Sequence, residues 1–128
     1  MSQFEVIETD KAPQAIGPYS QAIKTEDSVY LSGQIPINPD TNELIENNNI
    51  QAQTERVLKN IEAILKEIGL DLTNIVKTSL YIDDMDDFVK INEIYSEFFK
   101  EHKPARSCVE VSRLPKDVGI EAEVVAVL

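Results

Sequence analysis

Only two stretches of this chain carry the three-to-four-residue apolar spacing of a helix, while its other patterned stretches alternate with a period of two. Ile50 to Ile68 is the clearer helix, with Ile50, Val57, Leu58, Ile61, Ile64, Leu65 and Ile68 along one stripe. Asn49 stands where an N-cap belongs, and Gly69 supplies the stop. The second helix is expected from about Asp86 to Lys100, with Phe88, Ile91, Ile94, Tyr95 and Phe98 on one side. Asp84, Asp86 and Asp87 gather at its start, where the helix dipole favours negative charge, and Pro104 closes it off. Strands are expected over Phe4 to Glu8, Ala22 to Lys24, Val29 to Gln34, Ile75 to Ile82, Arg106 to Val111 and Ile120 to Leu128. Ile35 to Asn49, with two prolines and a PDTN turn, reads as a loop. Asn47-Asn48-Asn49 is too short to be a low-complexity tract.

The order βββ-α-β-α-ββ predicts an α+β fold, one domain over residues 1–128, with a mixed sheet of about six strands. Two helices cover only one face of such a sheet. In the last strand Ile120, Ala122, Val124, Ala126 and Leu128 form an apolar face, whereas the other face runs Glu121, Glu123, Val125, Val127. A second face that turns apolar away from the helices needs a cover, and another subunit is the simplest one. An oligomer is therefore expected.

The 128 residues carry 12 Lys and Arg against 23 Asp and Glu, a net charge of −11, which disfavours phosphate backbones and anionic membrane surfaces as partners. A hydrophobic content of 42% is too high for a disordered chain. The single cysteine, Cys108, cannot form an intrachain disulfide. With one histidine, His102, and no Cys/His cluster, no metal site is expected. The four glycines lie too far apart for a phosphate loop, so no cofactor is expected either. The opening MSQFEVIETDK lacks the basic and apolar regions of a signal peptide, and no apolar run approaches the ~20 residues of a membrane span. A cytoplasmic protein is expected.

Alternation in the strand beginning at Arg106 sets Ser107, Val109 and Val111 on one side, and Arg106 and Cys108 on the other. Glu121 lies opposite the Ile120 face of the last strand. If these two strands pair, an arginine, a cysteine and a carboxylate share the face the helices leave open. Each has a plainer role as well. Arg106 fits a surface or interface ion pair, Cys108 a small buried hydrophobe, Glu121 a strand-edge charge, Asn92 a polar helix position, and His102 an exposed helix end. The Asp83–Asp87 cluster reads as a solvated helix start. Spacing alone allows a small-anion pocket and names no reaction.

The segments IGPYSQA (16–22), SGQIPINP (32–39), VKTSLYIDDMDDF (76–88), NEIYSEFF (92–99) and PARSCVEVSRLPKDVGIEAEVVAV (104–127) resemble, in family order, the Rid family of reactive-intermediate deaminases, in its RidA (YjgF-type) subgroup. The resemblance covers nearly the whole chain. It implies a chorismate-mutase-like fold and a homotrimer with ligand pockets between subunits. By the same resemblance Arg106 matches the arginine that holds the substrate carboxylate, and Glu121 the carboxylate associated with the attacking water. Tyr19, Ser32, Gly33, Asn92 and Cys108 match other pocket-lining positions. Lys103, before Pro104, stands where relatives commonly carry an aromatic residue in a longer loop, a departure that bears on substrate preference.

The implied activity is hydrolysis of 2-imino and 2-enamino acids, such as 2-iminobutanoate and 2-iminopropanoate released by pyridoxal-phosphate-dependent dehydratases, to 2-oxo acids and ammonia. A guanidinium that grips a carboxylate in two parallel bonds and a carboxylate that takes a proton from water suit that chemistry. The competing expectation is a non-catalytic trimer that senses a carboxylate and regulates amino-acid or purine metabolism. A third, ribonuclease, is attached to some relatives. The charge of −11 and the absence of paired histidines argue against it.

Overall fold

The computed structural model describes residues 3–46 and 48–128, so Asn47 of the three-asparagine run lies outside the described residues. The main sheet contains β1 (Glu5–Ile7), β2 (Ala22–Lys24), β3 (Ser28–Gln34), β6 (Ile75–Ile82), β7 (Ala105–Glu110) and β8 (Ile120–Val127), in the order β1-β2-β3-β8-β6-β7. Its ladders are antiparallel except for β6–β7, where α2 (Phe88–Phe99) makes the crossover that a parallel pair requires. The expected element order is present, with one addition. The 35–49 segment is not all loop, because β4 (Ile37–Asn38) and β5 (Glu43–Leu44) close into a separate two-stranded ribbon. Strands of two residues offer no period for a sequence pattern to show.

The long helix α1 (Ile50–Glu67) begins and ends for local reasons. The Asn49 side chain accepts from the Ala52 amide at 3.1 Å. At the other end Gly69, at φ +75°, lets its own amide reach the Lys66 carbonyl and the Leu70 amide reach the Leu65 carbonyl. The stripe expected from the sequence packs inward: Val57, Leu58, Ile61, Ile64 and Leu65 are buried beneath β8 and β3. Each such side chain contributes about 1.5–3 kcal/mol of burial. On α2 the buried stripe centres on Ile91, Tyr95 and Phe99, with Phe88, Ile94 and Phe98 at its margins. A short 3₁₀ turn at Met85–Asp87 precedes α2, with the Asp84 carboxylate accepting from the Asp86 amide.

Both helices lie on one face, where Ile120, Ala122, Val124 and Ala126 of β8 meet Thr78, Leu80 and Ile82 of β6. The opposite face is open. Tyr30, Val109 and Val127 are exposed there to 51%, 46% and 39%, beside Glu121 and Glu123, so this face does carry the uncovered apolar surface the sequence implied.

Three buried amide side chains hold the loops to this framework. Gln21 accepts from the Thr9 amide at 2.7 Å and donates to the Thr9 and Pro13 carbonyls. Asn60 donates to the Ile35 and Ile37 carbonyls. Gln53 donates to the Ile45 carbonyl and accepts from the Gly119 amide at 2.9 Å, just before β8.

Candidate active site

Arg106 and Cys108 do not lie on the open face. Arg106 is paired with Thr78, and Cys108 with Leu80, across the parallel β6–β7 ladder. Thr78 and Leu80 are buried on the helix side, and directly paired residues share a face, so Arg106 and Cys108 lie there too. β7 and β8 do not pair either, since β6 runs between them. The expectation failed because Val109 is apolar on the open side. Apolar alternation marked the inward face correctly on β8 and the outward face on β7.

On the helix side, α2 builds a seat for Arg106. Phe88, Asn92 and Tyr95 fall at i, i+4 and i+7, one stripe of the helix. The Arg106 Nη1 donates to Asn92 Oδ1 at 2.7 Å. Its guanidinium carbon lies 4.8 Å from the Tyr95 ring centre and 5.3 Å from that of Phe88, so two aromatic faces favour and orient the cation. Tyr95 is itself fixed by a 2.9 Å hydrogen bond with Thr78 and by stacking on Phe99. Among the described residues of this chain no carboxylate pairs with Arg106, so part of its planar fork is left open. Cys108 packs against the core beside it. Burial pushes its thiol up from its ordinary value, opposed by the Arg106 charge, so it remains a thiol at neutral pH.

On the open face, Glu121 lies over Gly33. The ladder between β3 and β8 slips between Leu31 and Gln34, and Gly33 sits in that irregularity. A Cβ there would come within 2.9 Å of Glu121 Cδ and 3.2 Å of its Cγ, so only glycine lets the carboxylate settle against this strand. Burial first, and the neighbouring Glu123 charge second, push the Glu121 carboxyl up from its ordinary value. Glu123 accepts from the Tyr81 hydroxyl at 2.8 Å. Ser32 donates through its Oγ to the Ser20 carbonyl at 2.5 Å, which ties the strand to the 17–21 loop. Tyr19, on that loop, is 53% exposed.

The seven sequence-identified residues thus form two half-sites. Arg106, Asn92 and Cys108 stand on the helix side at the β7 edge, and Glu121 and Gly33, with Ser32 and Tyr19 nearby, belong to the β3–β8 region. Sequence reasoning missed Phe88 and Tyr95 as seats for the arginine, having assigned both to the core; their spacing from Asn92 was the available signal. His102 is also corrected. It is half-buried, and its Nε2 lies 2.6 Å from the Ile75 carbonyl, which ties the post-helix turn back to β6.

The six-stranded α+β sheet thus carries an arginine in an aromatic seat on one face and a carboxylate with a raised pKa on the other, with no group of metal-ligating side chains among the described residues. The family described as Endoribonuclease L-PSP matches residues 9–128, and the chain belongs to it, within the group of Rid and RutC proteins. A RutC family protein of Pyrococcus abyssi is 57% identical over 122 residues, 95% of each chain. The structure of YyfA from Yersinia pestis, a protein of unknown function in the conserved Rid family, superposes with a TM-score of 0.95 at 52% identity, covering 98% of this chain and 99% of that one. TdcF of Escherichia coli, provisionally named a reactive intermediate deaminase, is 46% identical over 126 residues, 96% of each chain. Its structure, solved with bound serine, superposes with a TM-score of 0.92, covering 97% of this chain and 98% of that one.

Proposed function

We propose that this protein is a 2-imino and 2-enamino acid deaminase whose active site is completed between subunits of a homotrimer. The supporting observation is that Arg106 and Glu121 stand on opposite faces of one sheet, so a single chain cannot offer both to one small substrate. A neighbouring subunit laid on the open face brings its own half-site to the first. The provisional naming of TdcF as a reactive intermediate deaminase and its binding of serine, a small carboxylate, agree with this reading.

In this scheme Arg106, held by Asn92 and Tyr95, grips the substrate carboxylate and fixes the adjacent C=N carbon. Glu121 accepts a proton from a water as its oxygen attacks that carbon. That proton passes to the former imine nitrogen, giving the carbinolamine; its hydroxyl proton then moves by way of Glu121 to the nitrogen as the C–N bond breaks, releasing ammonia and leaving the 2-oxo acid. Cys108, a thiol, shapes the wall. Such imines hydrolyse in water unaided, so positioning and proton transfer suffice, each tenfold acceleration needing about 1.4 kcal/mol.

The test couples the protein to a threonine dehydratase and follows 2-oxobutanoate, with semicarbazide trapping free imine. Wild type accelerates oxo-acid release and suppresses trapping, and Arg106→Ala and Glu121→Ala each fail alone. Unfolding and reassembling the two variants together restores turnover, to about a quarter of wild type for random mixing in a cyclic trimer. If mixing restores nothing, the shared site is wrong. If wild type is inert yet binds 2-oxobutanoate through Arg106, the carboxylate-sensing trimer replaces the enzyme.

A further inference from the structure

The cleft that holds Arg106 continues past it along the end of α2. It encloses about 400 Å³, within the range of small-molecule sites, and its far wall is formed by Lys100, His102 and Lys103. No Asp or Glu lines it. That is unusual in a chain of net charge −11: each of the other four described clefts has at least one Asp or Glu in its wall. Three of the chain's 12 Lys and Arg residues therefore converge, unneutralised, on one cavity. Neither lysine has an ion-pair partner among the described residues.

The backbone helps to hold this arrangement. Lys100 caps α2 at φ +56°, a conformation that L residues rarely adopt, while its amide reaches the Ser96 carbonyl. The bond from His102 to the Ile75 carbonyl anchors the turn between the two lysines. The helix dipole favours one cation at this end of α2. It does not account for two lysines on either side of an anchored turn, both facing the cavity that holds a ligand-ready arginine.

We infer that the substrate class includes 2-imino acids with a second, distal carboxylate, the first carboxylate held by Arg106 and the second by Lys100 and Lys103. This rests on the deaminase reading of the same site. The kinetic experiment supplies 2-iminoglutarate, generated from glutamate by an amino-acid oxidase with catalase present, and 2-iminobutanoate in parallel. Wild type is expected to favour the dicarboxylic substrate in kcat/KM, and K100Q/K103Q to lower that preference at least fivefold. Raised salt lowers it in wild type and has little effect on the double variant. An unchanged ratio in the double variant overturns the inference while leaving the deaminase intact.

Calorimetry separates the remaining outcomes. If wild type turns over neither imine, the deaminase reading fails, and the cleft is judged on binding alone. 2-Oxoglutarate should then bind at least fivefold tighter than 2-oxobutanoate in wild type, with the advantage lost in K100Q/K103Q. Equal binding of the two acids overturns the second-carboxylate site.

Discussion

Arg106 and Glu121 are carried on opposite faces of one sheet, separated in strand order by β6, which pairs with both their strands. Each half-site can therefore be perturbed without direct contact with the other.

Gly33→Ala is expected to act on the carboxylate alone. The new methyl group collides with the Glu121 side chain, which must swing away, because the backbone on its other side is held by the sheet. A misplacement of about 1 Å costs catalysis on the order of 100-fold. We expect the loss in kcat, with carboxylate affinity through Arg106 changed far less. A loss confined to KM would contradict this.

Arg106→Lys keeps the charge and removes the planar fork. The ammonium cannot donate to Asn92 and grip a carboxylate in two parallel bonds together. Loss of one charge-assisted hydrogen bond corresponds to about 1.5–3 kcal/mol, or roughly 10- to 150-fold in kcat/KM. Titration with 2-oxobutanoate measures the binding share, and a lysine variant that binds as well as wild type would rule out bidentate recognition.

The pH dependence follows from the raised pKa of Glu121. The base works ionised, so activity falls on the acid side at a pH above the ordinary carboxylate range. Glu123→Gln removes the like charge and moves that limb to lower pH. Stability has the opposite sense. A carboxyl with a higher pKa folded than unfolded holds its proton more tightly in the fold. Its contribution is greatest at low pH and is lost as pH rises from the unfolded value through the folded one. Glu121→Gln is therefore expected to raise the Tm at pH 7 relative to wild type, with the gain disappearing in acid. Thermal scans at several pH values decide it.

Gln21→Leu tests a loop staple. It leaves the buried Thr9 amide and the Pro13 carbonyl without this partner, while the Thr9 carbonyl keeps its bond from the Gln14 side chain. Each buried unsatisfied group costs about 1–3 kcal/mol, so denaturant unfolding should show a loss of at least that size. Unchanged stability would mean that water replaces the amide.

The sequence determined the elements: two helices with their stripes, the Asn49 cap and the Gly69 stop, six principal strands, and an open face with apolar residues at Val125 and Val127. These are local patterns, fixed by the period of the backbone and the chemistry of chain termini and turns. The tertiary structure alone decided which face each site residue occupies. A strand's two sides are equivalent until its neighbour and register are known. Val109 was apolar for the sake of the open face, so Arg106 and Cys108 were assigned to the wrong side. The pairing of Thr78 with Arg106 corrects that, and brings Phe88, Asn92 and Tyr95 from a helix 14 residues earlier in the chain (Asn92 to Arg106) around the guanidinium. The contact of Glu121 with Gly33 likewise joins residues from distant strands through a slipped ladder, and no spacing within either strand encodes it.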